Sequence, residues 1–173
     1  MDGKVTLPVL QQMKEDGRKI VGVVAYDYQM AQIVDRAGVD IVSVGDSVGV
    51  NLWGHRSELE VTLDQMVLVC QAVRRGVARA LVSCDVPFGP LQQGTDAAVC
   101  AAIRLVKEGG ADLVKVDAGL SSADAVRAIT RAGIPVWAQF GTEPAAPITD
   151  RLVLEAKQLE EAGASLLDFR YSS

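Results

Sequence analysis

The sequence predicts an α/β protein in which about six parallel strands alternate with helices around one core. Short runs rich in β-branched residues alternate with longer amphipathic segments along the chain. This alternation is typical of parallel strands joined by right-handed helical crossovers. The length of 173 residues and the hydrophobic content of 49% fit one well-cored domain, so we expect residues 1–173 to form a single domain.

The pattern places each element in order. An additional N-terminal helix is expected to start at Thr6, with Pro8 in its first turn. The strand-like runs are IVGVVAY, DIVSV, RALVSC, ADLVKV, IPVWAQF and ASLLDF, at 20–26, 40–44, 79–84, 111–116, 134–140 and 164–169. The helical runs between them are 28–38, 62–76, 95–110, 122–133 and 150–163.

Residues at the expected helix ends agree with these boundaries. Thr62 with Gln65 indicates a capping box at the start of one helix. Asp27 is expected to cap the helix that follows the first strand. The glycines that we expect just beyond helix C-termini are Gly38, Gly76, Gly109, Gly133 and Gly163.

Composition excludes several function classes. The formal charge of −5 and the absence of a long basic run argue against a nucleic-acid or membrane-surface partner. No apolar run approaches the ~18 residues of a membrane span, and the N-terminus carries acids without an apolar signal segment. We therefore expect a soluble, cytoplasmic protein.

The cysteines do not indicate a metal or redox centre. Cys70, Cys84 and Cys100 are odd in number and lack the C-x-x-C spacing of such sites. The sequence therefore predicts buried free thiols.

Polar side chains recur where successive strands are expected to end. The second strand runs into Asp46 and Ser47, the third into Asp85, and the fourth into Lys115 and Asp117. Sites in parallel α/β proteins lie at these carboxyl ends. A capping role would explain any one aspartate alone, but their recurrence favours a site. Three carboxylates are suitable ligands for a Mg²⁺ ion that keeps several waters and accepts a chelating substrate. By strand alternation Lys115 and Asp117 point to the same side.

Three segments together resemble ketopantoate hydroxymethyltransferase, a family of the phosphoenolpyruvate/pyruvate barrel superfamily. They are VVAYDYQMAQIVDRAGVDIVSVGDSVGVNLWGHRSELEVTLDQMVLVCQAVRRG, ALVSCDVPFG and EGGADLVKVDAG, and the resemblance extends from about Val21 to Ala164. It implies an incomplete (β/α)8 (TIM-type) barrel, with about six of the eight parallel strands.

The resemblance also implies a reaction and a site. That family transfers a hydroxymethyl group from 5,10-methylenetetrahydrofolate to 3-methyl-2-oxobutanoate in pantothenate biosynthesis. Gly45 and Gly49 would let the backbone approach the ligand. The implied Mg²⁺ ligands are Asp46, Asp85 and Asp117, and the implied substrate-binding residues are Asp46, Ser47, Asp85 and Lys115.

The implied chemistry follows from these residue types. A 2-oxo acid chelates Mg²⁺, and the ion acts as a Lewis acid while C3 loses a proton. Lys115 adds positive charge near the enolate that forms. Asp117 stands where the family has a longer glutamate, so it would reach the ion less directly, through water.

Other positions depart from the family pattern. Gln139 stands where the family has a histidine, and the glycine-rich loop that follows there is absent. Arg170 aligns with the glutamate that serves as general base, and an arginine cannot accept a proton. Asp168 lies two residues earlier on the same face, either as a relocated catalytic base or as the ion-pair partner of Arg170, which is the favoured interpretation. His55 is assigned a structural hydrogen-bonding role.

The pattern stops before strands seven and eight of such a barrel, which leaves the first and sixth strands as apolar edges. A homo-oligomer, a rearranged six-stranded sheet or completion by a partner would cover them, and we favour the homo-oligomer. Two functions are consistent with the residues. The first is a Mg²⁺-dependent aldol-type hydroxymethyltransferase or lyase acting on a small 2-oxo acid. The alternative is a truncated, non-catalytic relative that binds a small ligand or partner; we favour the enzyme.

Overall fold

The computed structural model describes residues 3–117, 123–142 and 150–171. The strands are β1 (Gly22–Val24), β2 (Ile41–Val44), β3 (Leu81–Asp85), β4 (Leu113–Asp117), β5 (Val136–Thr142) and β6 (Leu166–Tyr171). The helices are α1 (Leu7–Glu15), α2 (Tyr28–Arg36), α3 (Val48–Asn51), α4 (Leu63–Gly76), α5 (Phe88–Gln92), α6 (Thr95–Lys107), α7 (Ala123–Arg131) and α8 (Asp150–Glu161), with a short 3₁₀ helix at Glu58–Glu60.

All described strands belong to one parallel sheet with the sequential order β1-β2-β3-β4-β5-β6. The sheet curls into a half-barrel, and the predicted alternation of about six strands with helices is confirmed. The short helices α3 and α5 were not predicted, because each is only one turn of helix and carries no periodic apolar pattern.

The two faces of the sheet differ in polarity. Val42, Val82 and Val114 are fully buried on the outer face, where the helices pack. Polar residues alternate with them along the same strands and lie on the inner face. They are Ser43, Ser83, Asp85, Lys115, Gln139 and Asp168. The inner face therefore carries polar side chains, whereas the outer face is apolar.

Helix α1 closes the amino-terminal end of this interior. Its Leu10 and Met13 pack against Ile41, Leu81 and Leu113, which are the first residues of β2, β3 and β4. Thr6 caps α1, as predicted, with its hydroxyl accepting a hydrogen bond from the Val9 amide at 3.4 Å. Helix α1 does not cover the carboxyl-terminal end of the sheet, where the predicted site residues lie.

The predicted helix N-caps are confirmed. Asp27 caps α2 by accepting a 2.8 Å hydrogen bond from the Met30 amide. Thr62 and Gln65 form the predicted capping box of α4, in which each side chain accepts from the other residue's backbone amide.

Four of the five glycines predicted just beyond helix C-termini lie there. Gly38, Gly133 and Gly163 have positive φ angles of 89°, 82° and 100°, and Gly109 follows the C-cap Glu108 of α6. The prediction is wrong for Gly76. Gly76 is the last residue of α4 and allows close approach of α2, because a Cβ there would lie 2.6 Å from the Tyr28 carbonyl oxygen. The left-handed residue after α6 is Gly110 rather than Gly109.

The cysteines are free thiols, but the prediction that all are buried is wrong for one of them. Cys70 and Cys84 are buried, whereas Cys100 is exposed on α6. Cys100 falls outside the buried stripe of that helix, which is formed by Ala98, Ala101, Ala102 and Leu105. Within the part of the chain that the structure describes, no helix combines the length and apolar character needed to cross a membrane.

The two edge strands of the sheet, β1 and β6, carry exposed apolar side chains. Val24 on β1 is 45% exposed and Phe169 on β6 is 59% exposed. The sequential strand order excludes the rearranged sheet that the sequence left open. Association of chains through these two edges stays a prediction.

A buried carboxylate ties α2 to β3 at the amino-terminal end. Asp35 is 8% exposed and accepts hydrogen bonds from the amides of Ala78, Arg79 and Ala80 at 2.8–3.2 Å. Burial alone would raise the pKa of Asp35, but these three amides and the Arg79 charge hold it below its usual value. Removing the carboxylate would leave three amides, one of them buried, without this acceptor.

We predict that Asp35→Ala lowers the free energy of unfolding by about 2–4 kcal/mol, measured by urea denaturation. Since the folded-state pKa is depressed, this contribution is complete above the usual pKa of 3.8 and is lost as pH falls further. Asp27→Ala, which removes an exposed cap, is the control and should cost only about 1 kcal/mol. Equal losses in the two variants would contradict the anchoring role of Asp35.

Candidate active site at the carboxyl ends of the strands

The predicted site residues of the second strand lie in a turn. The prediction that this strand extends to Asp46 and Ser47 is wrong, because β2 ends at Val44. The chain turns at Gly45, and Ser47 occupies the N-cap position of α3. A Cβ at Gly45 would lie 2.8 Å from Ser47 Oγ and 3.7 Å from Asp85 Oδ2, so a larger residue there would displace the Ser47 hydroxyl. Asp46 then lies beside the end of β3.

Asp46 and Asp85 lie side by side at this rim. The Asp46 amide donates a long hydrogen bond of 3.4 Å to Asp85 Oδ2. Burial raises the pKa of Asp85 to about 7, against the opposing charge of Lys115; the carboxylates of Asp46 and Asp117 raise it further. Asp85 Oδ1 is buried and has no hydrogen-bond partner among the described residues. This carboxylate therefore has an oxygen available for an added cation or donor.

Lys115 places a positive charge at the same mouth. It lies beside Asp85 in the β3–β4 register and is half-buried. Its Nζ lies 5.1 Å from the centroid of the Trp137 ring, within the range of a cation–π contact. Asp117, two residues along β4, is exposed, yet it influences the pKa of Asp85, as expected if Lys115 and Asp117 share one side.

The rim fits a Mg²⁺ ion held by two carboxylates. Mg²⁺ in enzyme sites commonly uses one or two carboxylates and completes its shell with water and substrate oxygens. The orphaned Oδ1 of Asp85, next to Asp46, supplies such a position. Across residues 3–117, 123–142 and 150–171, no group of three His, Cys, Asp or Glu side chains stands ready to hold a metal. The contribution of Asp117 to the metal site, through water, stays a prediction.

Ser47 belongs to a hydrogen-bonded group that includes an unpredicted residue. Tyr26 Oη and Ser47 Oγ share a hydrogen bond of 2.8 Å, and Asn51 Nδ2 donates to Tyr26 Oη at 2.9 Å. Tyr26 follows β1. Because sites in parallel α/β proteins lie at the carboxyl ends of the strands, the position of Tyr26 could have predicted it as a site residue. This group fixes the Ser47 hydroxyl at the rim.

Gln139 and Asp168 form a pair across β5 and β6. The two residues lie opposite each other in the strand register, and Gln139 Nε2 donates to Asp168 Oδ2 at 3.0 Å. Asp168 Oδ1 is buried and finds no hydrogen-bond partner in the described part of the chain. The side chain of Arg170 lies outside the described residues, so its predicted ion pair with Asp168 stays untested. Gln139 is the partner that the structure shows.

A cavity of about 430 Å³ opens on the inner face of the half-barrel. Its walls come from strands near both edges of the sheet, β1 and β6 included. The lining residues include Gly22, Ser43, Lys115, Trp137, Leu166 and Asp168. The sequence did not predict Trp137 as a cavity residue, because an apolar side chain in a strand is usually part of the core. Since Trp137 lies two residues before Gln139 on the same strand, the two share a face, and this spacing could have predicted its position. Lys115 and Asp168 are thus brought to one cavity.

His55 and Gly49 lie behind the rim. The His55 amide donates to the Gly49 carbonyl at 2.8 Å, while the imidazole Nδ1 is buried without a partner among the described residues. The expected approach of a ligand to Gly49 is wrong, because a Cβ there would collide with Val61 and lie 2.8 Å from His55 Nδ1. Gly49 is needed for packing. The structural role predicted for the His55 side chain stays a prediction.

A family model described as ketopantoate hydroxymethyltransferase matches residues 4–170. The chain belongs to this family. It is 41% identical over 174 residues to 3-methyl-2-oxobutanoate hydroxymethyltransferase of Cytophaga hutchinsonii, covering 92% of this chain and 64% of that protein. It is 44% identical over 175 residues to the protein of that name from Anaeromyxobacter sp. (strain Fw109-5), covering 96% and 56%. The chain thus spans less than two thirds of these relatives.

Solved structures agree on the fold. A phosphonopyruvate hydrolase, in complex with oxalate and Mg²⁺, matches with a TM-score of 0.77 at 14% identity, covering 98% of this chain and 64% of that chain. A 2,3-dimethylmalate lyase of the PEP mutase/isocitrate lyase superfamily matches with a TM-score of 0.74 at 15% identity, covering 96% and 63%. The predicted incomplete barrel is confirmed.

We predict that the raised pKa of Asp85 makes the metal-free protein less stable as pH rises. Because its folded-state pKa of about 7 exceeds the usual 3.8, the stabilising contribution is complete below pH 3.8 and is lost by about pH 7. Asp85→Asn should remove this dependence and, at pH 8 in a chelating buffer, raise the free energy of unfolding by on the order of 2 kcal/mol.

Urea denaturation at several pH values measures this effect. Asp124→Asn, which changes an exposed carboxylate paired with Arg127, is the matched control and should shift stability by less than about 0.5 kcal/mol. A destabilised Asp85→Asn variant at pH 8 would show that the Asp85 charge is favourable in the folded protein.

Proposed function

We propose that the protein is a Mg²⁺-dependent enzyme that forms or breaks a carbon–carbon bond at C3 of a small 2-oxo acid. The reaction we propose is aldol-type hydroxymethyl transfer to 3-methyl-2-oxobutanoate. The observation that carries the proposal is the rim where the neighbouring acids Asp46 and Asp85 stand beside Lys115, which also lines the cavity on the inner face. Family membership supports this reaction class.

Asp46 and Asp85 would hold the metal, with Asp117 reaching it through water. Bound Mg²⁺ would supply Lewis acidity that polarises the ketone of a chelating 2-oxo acid. The proximity of two carboxylates and the orphaned Asp85 oxygen support this assignment. The solved structure of phosphonopyruvate hydrolase with oxalate and Mg²⁺ supports it as a fold neighbour.

Lys115 and Ser47 would bind and orient the substrate. Lys115 supplies a fixed positive charge, because its ammonium group is held over Trp137 beside the carboxylate rim. That charge stabilises the negative charge that develops when C3 is deprotonated. The Ser47 hydroxyl, anchored by Tyr26, would donate a hydrogen bond to a substrate oxygen.

Asp168 is the proposed general base. Gln139 has no titratable proton and Arg170 stays protonated, so neither accepts the C3 proton at neutral pH. Asp168 is a carboxylate on the cavity wall; one oxygen is held by Gln139 and the other has no described partner. This arrangement supports a base that has a fixed orientation and a second oxygen without a partner among the described residues.

Three further assignments stay predictions. The proposed one-carbon donor is 5,10-methylenetetrahydrofolate. The proposed location is the cytoplasm, and the proposed assembly is a homo-oligomer that covers the apolar side chains of β1 and β6, such as Val24 and Phe169.

We predict that isothermal titration calorimetry detects Mg²⁺ binding that Asp85→Asn weakens at least about tenfold, because one of two charged ligands becomes neutral. Asp124→Asn, which alters an exposed acid far along the chain, should bind Mg²⁺ as the wild type does. Thermal unfolding should show the same pattern, with Mg²⁺ raising the Tm of wild type but not of Asp85→Asn. An Asp85→Asn variant with unchanged Mg²⁺ affinity would refute the metal site.

We predict that the protein, with Mg²⁺, exchanges the C3 proton of 3-methyl-2-oxobutanoate for deuterium, as followed by proton NMR. Asp168→Asn should slow this exchange by roughly 10²- to 10⁴-fold, the usual contribution of a general base. Mg²⁺ affinity should be unchanged in that variant.

Arg170→Glu distinguishes the alternatives. If wild type does not exchange but Arg170→Glu does, the chain has lost its base and Asp168 does not replace it. If neither exchanges although Mg²⁺ binds, the alternative function of a non-catalytic, ligand-binding relative is favoured instead.

A further inference from the structure

Three side chains at the rim form a chain of hydrogen bonds whose direction is set at one end. Asn51 Nδ2 donates to Tyr26 Oη at 2.9 Å, and Tyr26 Oη shares a 2.8 Å hydrogen bond with Ser47 Oγ. An amide nitrogen can only donate, whereas a hydroxyl can donate its one proton and also accept. Asn51 therefore influences where both hydroxyl protons point.

Donation by Asn51 favours one orientation of the Tyr26 hydroxyl. A phenol oxygen that already accepts one hydrogen bond is a poor acceptor for a second, because one of its lone pairs is delocalised into the ring. Accepting a hydrogen bond also makes the phenol O–H a stronger donor. The Tyr26 O–H therefore donates to Ser47 Oγ, and the single proton of Ser47 is not used within the group.

Helix α3 carries both ends of this chain. Ser47 is its N-cap residue and Asn51 its last residue, and the Asn51 amide donates to the Ser47 carbonyl at 2.9 Å. Residues that are four positions apart lie on the same side of a helix. The Tyr26 hydroxyl, at the end of β1, thereby reaches both. The Ser47 side chain makes no capping hydrogen bond to α3, so the helix does not fix its hydroxyl.

The Ser47 hydroxyl lies next to the carboxylate rim. The Cβ position of Gly45 is 2.8 Å from Ser47 Oγ and 3.7 Å from Asp85 Oδ2, so both oxygens border the same turn. Ser47 and Asp46 are only half-buried, so this part of the rim keeps accessible surface. A proton that Ser47 directs away from Tyr26 is therefore available to a ligand at the rim.

We propose that Asn51 is a positioning residue, which acts through Tyr26 to turn the Ser47 hydroxyl outward as a hydrogen-bond donor. The three bonds then point the same way, and each strengthens the next. The ligand atom that fits is an acceptor oxygen, such as a carboxylate oxygen of a 2-oxo acid. The inference rests on the proposed function, because it requires that ligand at the rim, and it adds the residue that governs Ser47.

The test reverses the chain at Asn51. Asn51→Asp replaces the donor with an ionised acceptor of similar shape, so the Tyr26 O–H turns to it and the Ser47 proton turns to Tyr26. Asn51→Leu removes the contact without reversing the chain. Asn51 is exposed, so neither change disturbs the core. Calorimetry measures binding of 3-methyl-2-oxobutanoate to the full chain with saturating Mg²⁺.

We expect Asn51→Asp to weaken that binding at least about tenfold, the value of one hydrogen bond to a charged group, and Asn51→Leu less than about threefold. A merely structural role predicts the opposite order, because Asp keeps a hydrogen bond to Tyr26 and Leu does not. Mg²⁺ affinity should stay within about twofold of wild type in both variants, since neither change touches a proposed metal ligand.

Two controls separate the relay from the added charge. Val50→Asp places the same charge on the neighbouring exposed residue of α3 and should weaken binding less than about threefold, because exposed charges are screened. In a Ser47→Ala background, Asn51→Asp should weaken binding no further than Val50→Asp does, because the chain then has no hydroxyl to direct.

The outcomes separate this inference from the proposed function. Equal losses in Asn51→Asp and Val50→Asp overturn the inference in favour of charge alone. A larger loss in Asn51→Leu than in Asn51→Asp, or a full Asn51→Asp loss in the Ser47→Ala background, overturns the relay. In each of these cases wild type still binds the 2-oxo acid, and the proposed function stands. If wild type binds Mg²⁺ but not 3-methyl-2-oxobutanoate, the proposed function is overturned and the inference with it.

Discussion

The forced proximity of Asp46 and Asp85 is the constraint on which the site depends. The parallel β2–β3 register sets Val44 beside Cys84, so the residues that follow meet at one rim. Burial and like charge at that rim raise the pKa of Asp85 to about 7. The negative charge of Asp46 near Asp85 is unfavourable in the metal-free protein, so the remainder of the fold must hold the two residues at this rim.

The opposite end of the sheet supplies that rigidity. Asp35 satisfies three amides before β3, and Asp112 accepts from the Val82 amide at 2.9 Å and from Arg74 at 2.8 Å. At this amino-terminal end the carboxylates have partners, and helix α1 packs over the core. At the carboxyl-terminal end Asp85 and Asp168 each keep an oxygen without a described partner. This asymmetry is typical of a protein whose one end stabilises the fold and whose other end binds ligands.

The resemblance drawn from the sequence implied departures from the family at the ends of β5 and β6, at Gln139 and Arg170. The structure pairs Gln139 with Asp168, so this wall of the cavity has a hydrogen-bonded group of its own. The relatives extend well beyond the matched region, since this chain covers 64% and 56% of the two relatives named above.

The sequence by itself determined the alternation of strands and helices, because burial periodicity and caps such as Thr62 and Asp27 are local. It also determined that Asp46, Asp85 and Lys115 emerge at one rim, because parallel strands share a direction. Only the tertiary structure decided that Gln139 binds Asp168 and that Trp137 lies under Lys115. Those contacts join different strands, and their partners depend on register and sheet curvature, which no local pattern encodes.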